Sequence, residues 1–178
     1  MAETNNKPIS NFEKVLDFNK SFGIQIFNKI QKNITKDDPK LIKYRLSLIC
    51  EEVEELEEAV KKHDYNEMVD ALSDILYVVY GMGTSIGVNL DNAFDIVHES
   101  NMSKLCNTEE EAIKTVQWYK DNEKRYDSPN YRKSDDGTKW VVYNKSTKKI
   151  LKSINYKKVN FNLDDNSLDL KFNSLDLN

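Results

Sequence analysis

From Met68 to Met82 the chain reads MVDALSDILYVVYGM, a stretch with helical periodicity and apolar side chains on almost every side. One stripe is Val69, Leu72, Leu76 and Val79; a second is Met68, Ala71, Ile75, Val78 and Met82. A helix that is apolar nearly all round belongs at the centre of a bundle. The segment 66–85, read as a helix, therefore demands other helices around it. Its two acids then become the difficulty. Asp70 and Asp74 share one line with Tyr77 and Gly81, and a carboxylate in apolar surroundings is strongly unfavourable unless a positive charge meets it.

The same periodicity predicts four more helices. One spans 10–30, with Phe12, Leu16, Phe22, Ile26 and Ile30 on one side. The next spans 39–62, with the stripe Ile42, Leu46, Ile49, Val53, Leu56 and Val60. Beyond the central helix, Gly87, Asn89 and Asp91 mark a turn, and a fourth helix runs to about Leu105. Thr108 followed by Glu111 is a capping-box signature for a fifth, ending near Lys124. After it, the β-prone runs Trp140–Tyr143 and Lys149–Ser153, joined by NKSTK, predict a small hairpin that follows the turn at Asp136 and Gly137.

These elements predict an all-α fold, a four- to five-helix bundle completed by oligomerisation, with a small C-terminal β-hairpin. Completion by a second copy is expected because one chain covers the central helix only in part. The expected organisation is one domain over 9–160, with a helical core at 9–126 and a basic hairpin segment at 132–158. A low-complexity, mobile tail at 161–178 carries NSLDL twice.

Composition narrows the function classes. Among the 178 residues no run approaches the eighteen apolar residues of a membrane span. The opening MAETNNKPIS lacks the basic start and apolar core of a secretory signal. Cys50 and Cys106 form no CxxC pair, which argues against zinc, and they read as reduced thiols in a cytoplasmic setting. Arg132 to Lys158 holds nine Lys or Arg against two Asp, so it carries +7 and leaves −11 for the rest of a chain whose net charge is −4. An acidic body with a basic segment suits a negatively charged small partner better than a long duplex nucleic acid.

On the helix over 39–62, Leu41, Leu48, Glu52, Glu55 and Ala59 fall on one line beside the apolar stripe. Glu51 stands at its margin, whereas Glu54, Glu57 and Glu58 point away, with Glu57 one turn from Lys61. Carboxylate pairs one turn apart on two neighbouring helices offer hard oxygen ligands with no His or Cys among them, which suits Mg²⁺ or Mn²⁺. The competing reading is an Arg45 bridge to Asp74. A di-iron bundle would need two acid–xx–His pairs, and the chain offers one near-match, Asp95 to His98. On the fourth helix Asn101 and Lys104 continue the apolar line of Leu90, Phe94 and Val97. Beside an acidic cluster such donors suit phosphate oxygens.

The ordered set EEVEE at Glu51–Glu55, DALSDILYVVYG at Asp70–Gly81 and VHESNMSKL at Val97–Leu105, with KKILKSINYKKVNF at Lys148–Phe161, resembles the all-α nucleoside triphosphate pyrophosphohydrolases. This is the superfamily of MazG-like and phosphoribosyl-ATP pyrophosphohydrolase-like enzymes. The resemblance implies Mg²⁺-dependent cleavage between the α and β phosphates of a nucleotide, with Mn²⁺ as a substitute metal. It also implies a homodimer or a dimer of dimers. Carried over residue by residue, the metal ligands fall on Glu52, Glu55 and Asp74, and the base that activates water falls on Glu51. The family's remaining acid position is Ala71 here, and Asp70, one residue earlier, stands in as the fourth metal ligand. Asn101, Lys104, Lys152 and Tyr156 are the expected substrate-binding residues. The rival reading is a non-catalytic helical module whose acidic face binds arginine or metal. Phe18, Phe22 and Trp118 are available to stack on a base, and nothing in the sequence selects the nucleotide.

Overall fold

The computed structural model describes residues 8–163 and 168–170. It is mostly helical, with six helices and one two-stranded antiparallel hairpin. The chain divides into two compact units, one formed by Met1–Ala93 with Asn162–Asn178 and the other by Phe94–Phe161.

In the first unit, α1 (Asn11–Ser21) opens on a reciprocal capping box: Glu13 N donates to Ser10 Oγ at 3.1 Å and Ser10 N donates to Glu13 Oε2 at 2.6 Å. The helix expected over 10–30 stops at Ser21, nine residues early, because Gly23 takes a left-handed φ of 64°. Irregular chain then lies against the end of a later helix, with Phe27 N donating to Thr84 O at 3.1 Å and Gln31 N to Ile86 O at 2.9 Å. A single turn, α2 (Ile34–Asp37), precedes α3 (Pro39–Lys62), whose start is fixed by proline in the first turn and by Leu41 N donating to the Asp38 side chain at 3.0 Å.

His63, at a left-handed φ of 57°, ends α3, and Asp64 caps α4 (Tyr65–Ile86) by accepting from Asn66 N and Glu67 N. A two-residue joint between long helices makes a helical hairpin, and α1 packs on α4 through buried Phe12 and Val15. The α3–α4 contact is made by small residues, with Ala59 and Ala71 both buried. Much of the remaining apolar surface is open in the single chain. Leu46, Val53 and Val60 on α3, and Val69, Leu72 and Leu76 on α4, are each between 40% and 55% exposed.

Gly87 ends α4 at a φ of 74°, and a Cβ there would meet Lys29 O at 1.9 Å. Only glycine lets the two backbones approach so closely. Three residues of the expected mobile tail, Leu168–Leu170, instead pack into this unit. Leu168 and Leu170 are buried, Asn89 N donates to Leu168 O at 2.7 Å, and Ile30 N donates to Asp169 Oδ1 at 3.1 Å. Paired leucines with a backbone partner bury enough to hold them there. The rest of that tail, at 164–167 and 171–178, lies outside the described residues.

The helix α5 (Leu90–Met102) carries the chain from the first unit into the second. There α6 (Glu109–Asn122) is capped by Thr108, which accepts from Glu111 N at 3.2 Å, and it packs on the hairpin of β1 (Pro129–Lys133) and β2 (Trp140–Asn144). The core is Cys106, Ala112, Val116, Tyr119, Val142 and Leu151. The expected hairpin is corrected in one respect. The Asp136–Gly137 turn is its own tip, and β2 pairs with β1 from Pro129↔Asn144 to Lys133↔Trp140. The Lys149–Ser153 run makes only an isolated bridge, Tyr143↔Ile150. Asp136 explains the choice, since its carboxylate accepts from Ser134 Oγ and from Thr138 N and locks the turn between the two strands. Among the described residues no helix is long and apolar enough to cross a membrane.

Gly87→Ala forces both a strained φ and a backbone collision. It is expected to lower the unfolding free energy by about 2–4 kcal/mol, read as a drop in the urea midpoint.

Candidate active site

The carboxylates nominated from sequence occupy facing surfaces of the α3–α4 hairpin. Glu52 is half-buried, while Glu51, Glu55, Asp70 and Asp74 are exposed. Desolvation pushes the Glu52 carboxyl above its ordinary range, and the negative charges of Glu55, Asp74, Glu51 and Asp70 raise it further. Four carboxylates from two helices thus act on a fifth. None of the five has an ion pair or hydrogen bond among the described residues. Their outward neighbours behave differently: Glu57 pairs with Lys61 at 3.7 Å and Glu58 with Lys62 at 3.0 Å, each one turn along α3.

Unpaired like charges on one patch are electrostatically costly without a cation, and an all-carboxylate donor set fits a hard divalent ion. The side chains are not drawn together, however: among the described residues no group of three or more acids, histidines or cysteines stands close enough to hold a metal. Binding one would require the carboxylates to turn inward on fixed backbones, which exposed Glu and Asp rotamers permit.

The alternative counter-charge weighed from sequence is not used. Arg45 makes no ion pair with Asp74. It is 5% exposed, and its Nε lacks any hydrogen-bond partner. Its Nη1 lies 3.4 Å from where a Cβ on Gly81 would stand.

The other nominated residues belong to the second unit. Lys104 Nζ donates to Asn101 Oδ1 at 2.6 Å, so ammonium and amide are held together at the end of α5 and beyond it. Lys152 Nζ stands 4.4 Å from the centroid of the Tyr156 ring, a cation–π contact. The Tyr156 hydroxyl is hydrogen-bonded to Ser100 Oγ at 3.1 Å. Trp118, Tyr119, Ser153 and Ile154 join Lys152 and Tyr156 around a cavity of about 380 Å³.

Comparison with known proteins bears on the acidic patch. The family model described as phosphoribosyl-ATP pyrophosphohydrolase matches residues 18–101. The chain belongs to the all-α nucleoside triphosphate pyrophosphohydrolase superfamily. It is also 30% identical, across 89% of this chain and 96% of that protein, to an uncharacterized protein of Acanthamoeba polyphaga mimivirus. All five carboxylates of this pyrophosphohydrolase-family chain, and Arg45, lie inside the matched stretch. Asn101 is its last residue, and Lys104, Lys152 and Tyr156 lie beyond it. The superfamily is generally dependent on divalent metal. Ala71 is buried in this structure, whereas Asp70 beside it is exposed and within the field of Glu52.

Sequence reasoning passed over Asn19. It follows Phe12 and Val15 on the buried line of α1, and its Nδ2 donates to Thr84 Oγ1 at 2.6 Å. A polar residue at an apolar register position was the available signal.

A raised carboxyl pKa means that Glu52 binds its proton more readily folded than unfolded, so stability falls as pH rises through the interval above the ordinary value of 4.5. Glu52→Gln removes that cost. In chelator at pH 7 the variant is expected to melt about 1–3 °C above wild type, with the gap closing as pH falls below 4.5. A variant less stable at pH 7 would mean that Glu52 is held by a favourable contact instead.

Proposed function

We propose that the chain is a Mg²⁺-dependent nucleoside triphosphate pyrophosphohydrolase that cleaves between the α and β phosphates of a ribo- or deoxynucleotide. The observation that carries this reading is the placement of five unpaired carboxylates on the two neighbouring helices α3 and α4 within the family-matched stretch. Glu52, Glu55, Asp70 and Asp74 would hold the metal. When bound, such an ion screens the triphosphate and lowers the pKa of a coordinated water. Glu51, at the margin of the patch, orients the attacking water and takes its proton. The water oxygen bonds to the α phosphorus as the bond to the bridging oxygen breaks, and pyrophosphate leaves with that oxygen. The substrate-binding roles expected of Asn101, Lys104, Lys152 and Tyr156 fall on residues of the second unit and are proposed from the sequence. Such a reaction fits a role in cleaning the nucleotide pool.

The assembly expected for this enzyme is a homodimer or a dimer of dimers. The supporting observation is the exposed apolar surface of α3 and α4, too large to leave in water on two adjacent helices.

Pyrophosphate release from dUTP, dCTP, dTTP, dATP, dGTP and the four ribonucleotides with Mg²⁺ tests the reading. Wild type is expected to turn over at least one, to lose activity in chelator and to recover it with Mg²⁺ or Mn²⁺. Glu52→Gln and Asp74→Asn are expected to be inactive, and Glu51→Gln to lose about 10²–10⁴-fold in kcat. A wild type silent toward every nucleotide with either metal returns the chain to a non-catalytic binding module.

In sedimentation equilibrium the wild type is expected at two or four times the chain mass. The pair Val53→Glu and Leu72→Glu is expected to run as a monomer; a wild-type monomer at micromolar concentration would refute the assembly.

A further inference from the structure

Arg45 is the anomaly of the first unit. Among the described residues its Nε is the single buried side-chain polar atom with no hydrogen-bond partner. The other buried polar groups nearby are satisfied: Asn19 donates to Thr84 at 2.6 Å, Thr84 donates to Gly81 O at 2.8 Å, and Ser85 donates to Gln25 O at 3.3 Å. A Cβ on Gly81 would meet Arg45 Nη1 at 3.4 Å and Asn19 Nδ2 and Val15 Cγ1 at 4.0 Å, and the Tyr44 ring centroid lies 5.9 Å from Arg45 Cζ. None of these is an acid. Burial pulls its pKa below the ordinary arginine value, yet arginine cannot escape by shedding its proton as a buried lysine does.

A buried arginine without its counter-charge is a liability that an apolar side chain of similar volume would remove, often with a gain in stability. Its presence calls for an anion from outside the chain. A planar fork of donors suits phosphate or carboxylate oxygens taken two at a time. Its position narrows the choice. Arg45, Leu48 and Glu52 follow one another at helical spacing on α3, so the Arg45 backbone stands on the line of the acidic patch, two turns or roughly 10 Å away along the axis. One line of α3 thus holds negative charge that lacks a cation and positive charge that lacks an anion. A metal-bound polyphosphate carries both.

We propose that Arg45 receives the phosphate chain of the nucleotide, the two turns of α3 between it and Glu52 setting the reach from one end of that chain to the other. The inference rests on the pyrophosphohydrolase reading of the carboxylates and adds a residue with a separate task. Gly81 contributes by bringing no side chain up to Nη1.

The test uses inorganic tripolyphosphate with Mg²⁺, a probe without base or sugar, titrated calorimetrically into the full chain. Wild type is expected to bind, and Arg45→Met to bind about 10- to 100-fold more weakly while melting no lower than wild type without ligand. Arg45→Lys, which keeps charge but loses the fork, is expected to fall between them. Equal binding by wild type and Arg45→Met overturns the inference, and so does a wild type that binds no tripolyphosphate. In both cases pyrophosphate release from nucleotides separately decides whether the enzymatic reading survives. If Arg45→Met instead dissociates an oligomer and leaves tripolyphosphate binding intact, the missing anion is a carboxylate of a second copy and the proposal fails.

Discussion

Repulsion among carboxylates is the constraint around which the first unit is arranged. Five acids with no positive partner can be kept on two facing helices only if the scaffold is stable enough to hold them there. The α3–α4 hairpin supplies this stability through features away from the patch: side-chain caps at Asp38 and Asp64, a two-residue joint, small residues at the helix contact and the packing of Phe12 and Val15 from α1. Capping groups and apolar burial stabilise the hairpin without neutralising its charge. That division leaves the repulsion in place on one surface while order elsewhere holds the helices together.

Where local chemistry decides an element, the sequence was readable. The bounds 39–62 expected for α3 match the structure because Pro39 and the capping aspartate fix one end and the basic residues before His63 close the other. Segment 10–30 was less legible, since Gly23 breaks a pattern whose apolar spacing continues beyond it. Periodicity reports which faces are apolar, and not whether the backbone stays helical. The hairpin failed in another way. β1 begins at a proline and reads PNYRK, with little β signal, so its pairing with β2 depends on the tip at Asp136–Gly137 and on α6 beneath it. Register of that kind is set by tertiary partners.

The candidate site divides along the same lines. Periodicity alone separated Glu52 and Glu55 from Glu57 and Glu58, and the structure pairs the latter two with lysines while leaving the former unpaired. It could not say where a long flexible side chain would end. Arg45 looked from its register like a partner for Asp74, but its guanidinium turns to the space beside Gly81, two turns past that acid on α4. The difference arises from the reach of an arginine side chain, which no pattern of Cα positions contains.

The contact of Leu168–Leu170 with the first unit has a consequence in time. The chain leaves that unit at Ala93, builds a second unit, and returns to add the last buried leucines and the bond from Ile30 to Asp169. Residues 30 and 169 are therefore neighbours that emerge from the ribosome far apart. At a synthesis rate of roughly 5–20 residues per second, the backbone edge at Val88 and Asn89 waits several seconds for its partner. During that interval the first unit exists without its closing segment.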